Sequence, residues 1–175
     1  MLKALVGFCA LAAPLLAASQ VPADLRSTLL HELKTTHNQK EWFVPVNVAV
    51  AGLTPQQASW TDGKGNHSVG QLANHLLFWN RRALAQLKGE KVPHFDGNND
   101  ETFNAFDAKS WTATTKDLDA VLTSLEQFVA EANVQTLEKI APQISNIATH
   151  NAYHTGEMIV VRKAQGAWNP ENGVK

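Results

Sequence analysis

Apolar residues recur every three or four positions along most of this chain, and strict apolar–polar alternation is scarce. That period belongs to helices buried on one face, so the pattern predicts four helical segments and no strand. The first begins near Pro22, a residue suited to a helical first turn. Leu25, Leu29, Leu30 and Leu33 form its early stripe, and the pattern carries it past Trp42 toward Val50, with Pro45 as a kink or break. Gly52-Leu53-Thr54-Pro55 ends it, Thr54 caps a short turn through Trp60, and residues 61–66 are loop by composition. The second segment opens on Ser68-Val69-Gly70-Gln71, a capping box, and its stripe is Val69, Leu72, Leu76, Trp79, Ala83 and Leu87, with Gly89 as the stop. Residues 90–110 form a long polar connection, a length often tied to function or mobility in a compact domain. The third segment runs from about Thr112 to Ala132, burying Leu118, Val121, Leu122, Leu125, Phe128 and Val129. The fourth runs from about Pro142 to Gln165, with Ile144, Ile147, His150, Asn151, His154, Met158 and Val161 along one face. Arg162 and Lys163 lie off that face, near a C-terminus whose dipole they suit. No repeat or low-complexity tract interrupts this order, and four amphipathic helices predict an all-α four-helix bundle.

The start of the chain follows a different rule. Met1-Leu2-Lys3 is basic, Ala4 to Ala13 is apolar apart from Gly7, and Ala17 and Ser19 are small residues placed for a cut before Gln20. Residues 1–19 read as a secretory signal peptide, too short in its apolar run for a spanning helix of about 20 residues. Cleavage there would leave residues 20–175 as one exported domain, periplasmic or extracellular, without stable membrane insertion. It would also remove Cys9, the single cysteine, and Lys3, taking the net charge from −1 to −2. The mature chain would then have no thiol for catalysis or ligation, so any metal site must use His, Asp or Glu. With no basic patch, a nucleic-acid partner has no electrostatic support.

The candidate chemistry lies in the histidines. His150 and His154, in His150-Asn151-Ala152-Tyr153-His154, stand one turn apart on one helix face with Cβ atoms roughly 5–6 Å from each other. His75 lies on the buried stripe of the second segment, between Leu72 and Trp79. A lone histidine on such a stripe is ordinarily a hydrogen-bonded core residue. Two buried imidazoles in one helix need two sets of partners, and a shared metal satisfies both. His75, His150 and His154 are therefore the candidate metal ligands, with an open coordination position. Glu157 is the nearest carboxylate on that face: a fourth ligand, a catalytic base for water, an orienter of an imidazole, or a rim carboxylate with no role. Asn151 stands where a zincin carries its glutamate, and no E-x-x-H occurs, which disfavours a di-iron carboxylate bundle. His67 is expected to be exposed, His94 sits in the long connection, and His31 and His37 share no helix face. Trp79 either walls the metal pocket or belongs to the core.

Ser68-Val69-Gly70-Gln71-Leu72-Ala73-Asn74-His75-Leu76-Leu77-Phe78-Trp79 resembles the second helix of DinB-like proteins, and residues 149–159 resemble their last-helix signature, H-x-x-Y-H-x-G-Q/E-I. Gly52-Leu53-Thr54-Pro55-Gln56-Gln57-Ala58 resembles the family's loop after the first helix, and the likeness spans roughly residues 22–168. The resemblance implies an up-down-down-up bundle and metal ligation by His75, His150 and His154. It further implies zinc, nickel or iron as the divalent metal, and a homodimer. Characterised relatives include thiol-dependent S-transferases and isomerases. Two departures matter: Glu157 stands where many relatives have Gln, and export would part the chain from the mainly cytoplasmic thiol cosubstrates. The expected activity is thus metal-dependent hydrolysis of an unknown small molecule, with Glu157 as the catalytic group. A metal-dependent thiol S-transferase, a non-catalytic metal- or ligand-binding bundle, and a polar histidine core without metal are the alternatives.

Overall fold

Asp24 opens the first helix: its carboxylate accepts from the Ser27 amide, satisfying one of the amides that a helix start leaves without partners. The computed structural model describes residues 24–174, so the expected signal peptide and Pro22 lie outside the described residues. Helix α1 spans Leu25–His37 and stops well short of the expected Val50. The Asn38 amide turns back to the Lys34 carbonyl, the chain leaves the helical path, and Trp42 is 98% exposed there. Pro45 then caps a separate short helix, α2, Val46–Val50. Proline has no amide to give a preceding turn and bars helical geometry from the residue before it, so Pro45 can begin a helix but not continue one.

The predicted capping box at Ser68 forms, and the predicted Thr54 cap is a capping box too. Thr54 and Gln57 close the start of α3, Pro55–Ala58, and Ser68 and Gln71 close that of α4, Val69–Leu87. The long connection is partly ordered into α5, Glu101–Asn104, and a 3-10 turn at Ala108–Ser110. Helix α6, Trp111–Glu131, matches expectation within a residue. Helix α7 is Val134–Gln165 and begins eight residues before Pro142, where the sequence pattern placed its start. Asn133 caps it through the Thr136 amide, and Leu137 and Ile140, both buried, hold the turns ahead of the proline. An interior proline costs about 3 kcal/mol or more. Burial of two aliphatic side chains, at about 1.5–3 kcal/mol each, is of the same size and opposes it. Gly166 ends α7 in the left-handed region, at φ 75°.

Among the described residues the fold is entirely helical. The main packing joins α1 to α7 and α6, and α4 to α6 and α7. Leu29, Leu33, Leu72, Leu76, Leu118, Leu122, Leu125, Ile144 and Met158 fill the space among these four. Arg162 departs from its expected place off the core face and is buried at 5% exposure. Its guanidinium donates to the carbonyls of Val48, Ala49 and Ala51 and, from the other side, to Ala167. The first group closes the C-terminal end of α2, where carbonyls lack helical partners, so the charge serves a neighbouring helix as well as its own. No described helix is long and apolar enough to cross a membrane.

Candidate metal centre

The α4–α7 contact brings His75 face to face with His150 and His154. One ring nitrogen from each of the three lies within 4.8 Å of the others, and these residues form a group that could hold a metal ion. The Nε2 atoms of His75 and His150 are 3.1 Å apart. Two nitrogens each roughly 2.0–2.1 Å from a zinc-like ion stand about 2.9–3.4 Å apart across right-angled to tetrahedral bond angles, so this spacing suits a shared cation.

The opposite ring nitrogens are held by oxygens. Thr102 Oγ1 gives its single proton to the Asn99 carbonyl at 2.6 Å and lies 2.5 Å from His75 Nδ1. With that proton spent, the hydroxyl can only accept, which makes Nδ1 of His75 the protonated nitrogen and directs the Nε2 lone pair at the other histidines. His154 Nδ1 meets Glu157 Oε2 at 2.6 Å, and a carboxylate likewise accepts, which leaves His154 Nε2 free. Of the roles open to Glu157, this contact fits the orienter of an imidazole. Glu157 also lines a separate cavity of about 440 Å³ with Trp60, Asp62 and His67, whereas His154 lines the cleft at the histidines.

Burial, then the charges of His154, His150 and His67, push the His75 imidazole down to about 3. Burial, then His154, pushes that of His150 down to about 4. Both rings are therefore neutral at pH 7, the form that ligates. Three imidazoles, two of them with Nδ1 set against an oxygen, and no carboxylate in the group, fit a borderline ion such as zinc, nickel or iron.

The long connection supplies parts that sequence reasoning did not assign. Phe103 stacks on His75 with ring centroids 3.9 Å apart, and His67 stacks on Phe103 at the same 3.9 Å. Phe103 is thus sandwiched between two imidazoles, and His67 is half-buried rather than exposed. Trp79 walls the cleft and its indole donates to Asn99 Oδ1 at 3.2 Å. Asn80 and Asn151, both buried, exchange amide hydrogen bonds between α4 and α7, at 2.8 and 3.4 Å. They sit beside the histidines and tie together the two helices that carry them. Thr102 and Phe103 carried no signal in the sequence, because a four-residue helix in a polar connection shows no period. Asn151 did lie on the predicted face, without a partner to pair it with.

The other histidines stand apart. His94 is exposed and pairs with Asp96, and His31 pairs with Glu41. His37 is buried, with Nδ1 at 2.6 Å from Glu126 and Nε2 at 2.9 Å from Asp119. Both of its nitrogens are occupied by carboxylates across the α1–α6 contact, a structural role that spacing alone did not reveal.

A family model described as the DinB superfamily matches residues 46–161, from α2 to near the end of α7. This interval contains all three clustered histidines, Thr102 and Glu157. No curated protein and no solved structure matches the chain.

Proposed function

The chain belongs to the DinB superfamily, and from that premise we propose that it is an exported metalloprotein holding one divalent cation on His75, His150 and His154 and using it to hydrolyse a small molecule. One observation carries this reading: three imidazoles each bring a ring nitrogen to one place, while oxygens of Thr102 and Glu157 lie against the Nδ1 atoms of two of them, away from the meeting point. The arrangement of α1 with α6 and α7, and of α4 with the same pair, supports an up-down-down-up bundle for its frame. The basic and apolar opening of residues 1–19 supports export.

A divalent ion in such a site acts as a Lewis acid and lowers the pKa of water toward neutrality. The chain's own residues supply the rest. Thr102 and Phe103 hold His75 in place from its Nδ1 edge and its face. Glu157 orients His154 and, as an anion, raises the basicity of that ring. Trp79 and Asn99 wall the cleft and limit the water that reaches the histidines.

Elemental analysis of protein purified without a histidine tag tests the reading. We expect close to one equivalent of zinc, nickel or iron, lost on His75→Ala with the fold retained. An untagged protein that takes up none of these ions would refute it. Export is tested separately, by the mass of the mature chain in the exported fraction, expected to begin at Gln20.

A further inference from the structure

The cleft beyond the histidines has a chemistry of its own. It encloses about 450 Å³, within the range of small-molecule sites. Among the described residues that line it there is no Lys, Arg, Asp or Glu. Apart from the Trp79 indole N–H, its side-chain polar groups away from the histidines are all carboxamides. They differ in what they have left to offer. Asn80 is spent on Asn151 and on the Leu76 carbonyl. Asn99 accepts from the Trp79 indole and keeps its NH2 group. Gln143 and Asn146 spend their side-chain amides on no other group among the described residues. They lie on α7 seven and four residues before His150, on the same helical face, and lead up to the ligands. Trp79 and Ile147 give the apolar surface between them.

This lining selects by charge. The imidazoles bring no negative charge to offset that of a bound cation, and Glu157, behind His154, lines a different cavity. A ligand tail bearing an ammonium would be repelled by that cation and meet no carboxylate. A tail bearing a carboxylate would meet no Lys or Arg, and burying an unpaired charge is costly. A carboxamide offers an acceptor and a donor side by side, and a secondary amide presents the complementary pair.

We propose that this cleft takes a small uncharged molecule of N-acyl or short-peptide type, with its reacting carbonyl toward the histidines and a second amide read by Gln143, Asn146 and the Asn99 NH2. The inference rests on the metal reading of the same site and adds the class of substrate to it.

The test uses zinc-loaded protein and three hydroxamates that share one zinc-chelating head. Their tails end in an N-methylamide, a carboxylate or a primary ammonium, and affinities are read by calorimetry. We expect the amide tail to bind about tenfold more tightly than either charged tail, the worth of one to two neutral hydrogen bonds. Combining Gln143→Leu with Asn146→Leu should remove most of that preference and leave zinc uptake unchanged. Equal affinities for the three tails overturn the inference, as does zinc uptake without hydroxamate binding, and both leave the metal reading standing. Failure to take up zinc overturns this inference, and failure to take up nickel and iron as well overturns the metal reading with it. The tail comparison on the unsubstituted protein stands even if the double variant does not fold.

Discussion

The hydroxyl of Thr102 accepts the Nδ1 proton of His75 because its own proton is committed to the Asn99 carbonyl. The tautomer of a core histidine is thus set by a residue 27 positions away, in a connection with little regular structure. Replacing Thr102 by Val keeps the shape and removes the acceptor. Zinc affinity, measured by chelator competition, should fall about 10–100-fold. Thr102→Ser should retain most of it, since the hydroxyl remains. Equal affinities for Val and Thr at this position would remove Thr102 from the site.

Glu157 stands in the same relation to His154. Glu157→Ala leaves the Nδ1 proton without its acceptor, and zinc affinity should drop about 10–100-fold. Glu157→Gln keeps an oxygen for that proton but loses the negative charge, so its loss should be smaller. If Glu157→Gln abolished turnover while zinc affinity held, the carboxylate would be acting on substrate and not through the ring.

His37 makes stability depend on pH. Burial opposes its charge, but hydrogen bonds to Glu126 and Asp119 outweigh burial and raise its pKa above the ordinary 6.5. A raised folded-state value means the pairing is fully present below pH 6.5 and is lost as pH rises through the higher folded-state value. Urea midpoints should therefore fall from pH 6 to pH 9, and His37→Gln should flatten that slope while costing about 1.5–3 kcal/mol at pH 6. Asn38 and Asn47 also face this cluster, and neither titrates. A slope unchanged by His37→Gln would place its origin elsewhere.

Gly70 is required by space and not by backbone geometry. A Cβ there would collide with the Phe106 ring, inside any contact distance real side chains show. Gly70→Ala should cost about 1–3 kcal/mol in denaturant unfolding, as overpacking does. Combining it with Phe106→Leu should recover part of the loss, and strict additivity of the two changes would rule out this contact as the cause.

The candidate ligands were legible in the sequence because helical spacing places His75, His150 and His154 on buried faces without any knowledge of the fold. Their supports were not. Thr102 and Phe103 act from a short helix that has no period to read, and the Asn80–Asn151 pair exists only once α4 and α7 are side by side. His37 shares no face with another histidine, and its partners are carboxylates on α6, 82 and 89 residues away. One boundary error fell at Pro142; the other fell at His37, where α1 ends well ahead of the kink or break expected at Pro45. Pro45 separates α1 from α2, while Pro142 is carried inside α7, whose flanking Leu137 and Ile140 are buried on the core side. Arg162 was placed off the buried face of its helix, and what draws it inward is a row of carbonyls at the end of another helix.

His75 and His150 face each other across 75 residues of chain. A cation seated between them would hold the folded chain together and be released when it unfolds, so it would favour the folded state by mass action. Grip on the ion and endurance against heat are then linked: each tenfold excess of free ion over its dissociation constant adds about 1.4 kcal/mol to folding stability. Chelation would cost this protein its toughness as well as its chemistry.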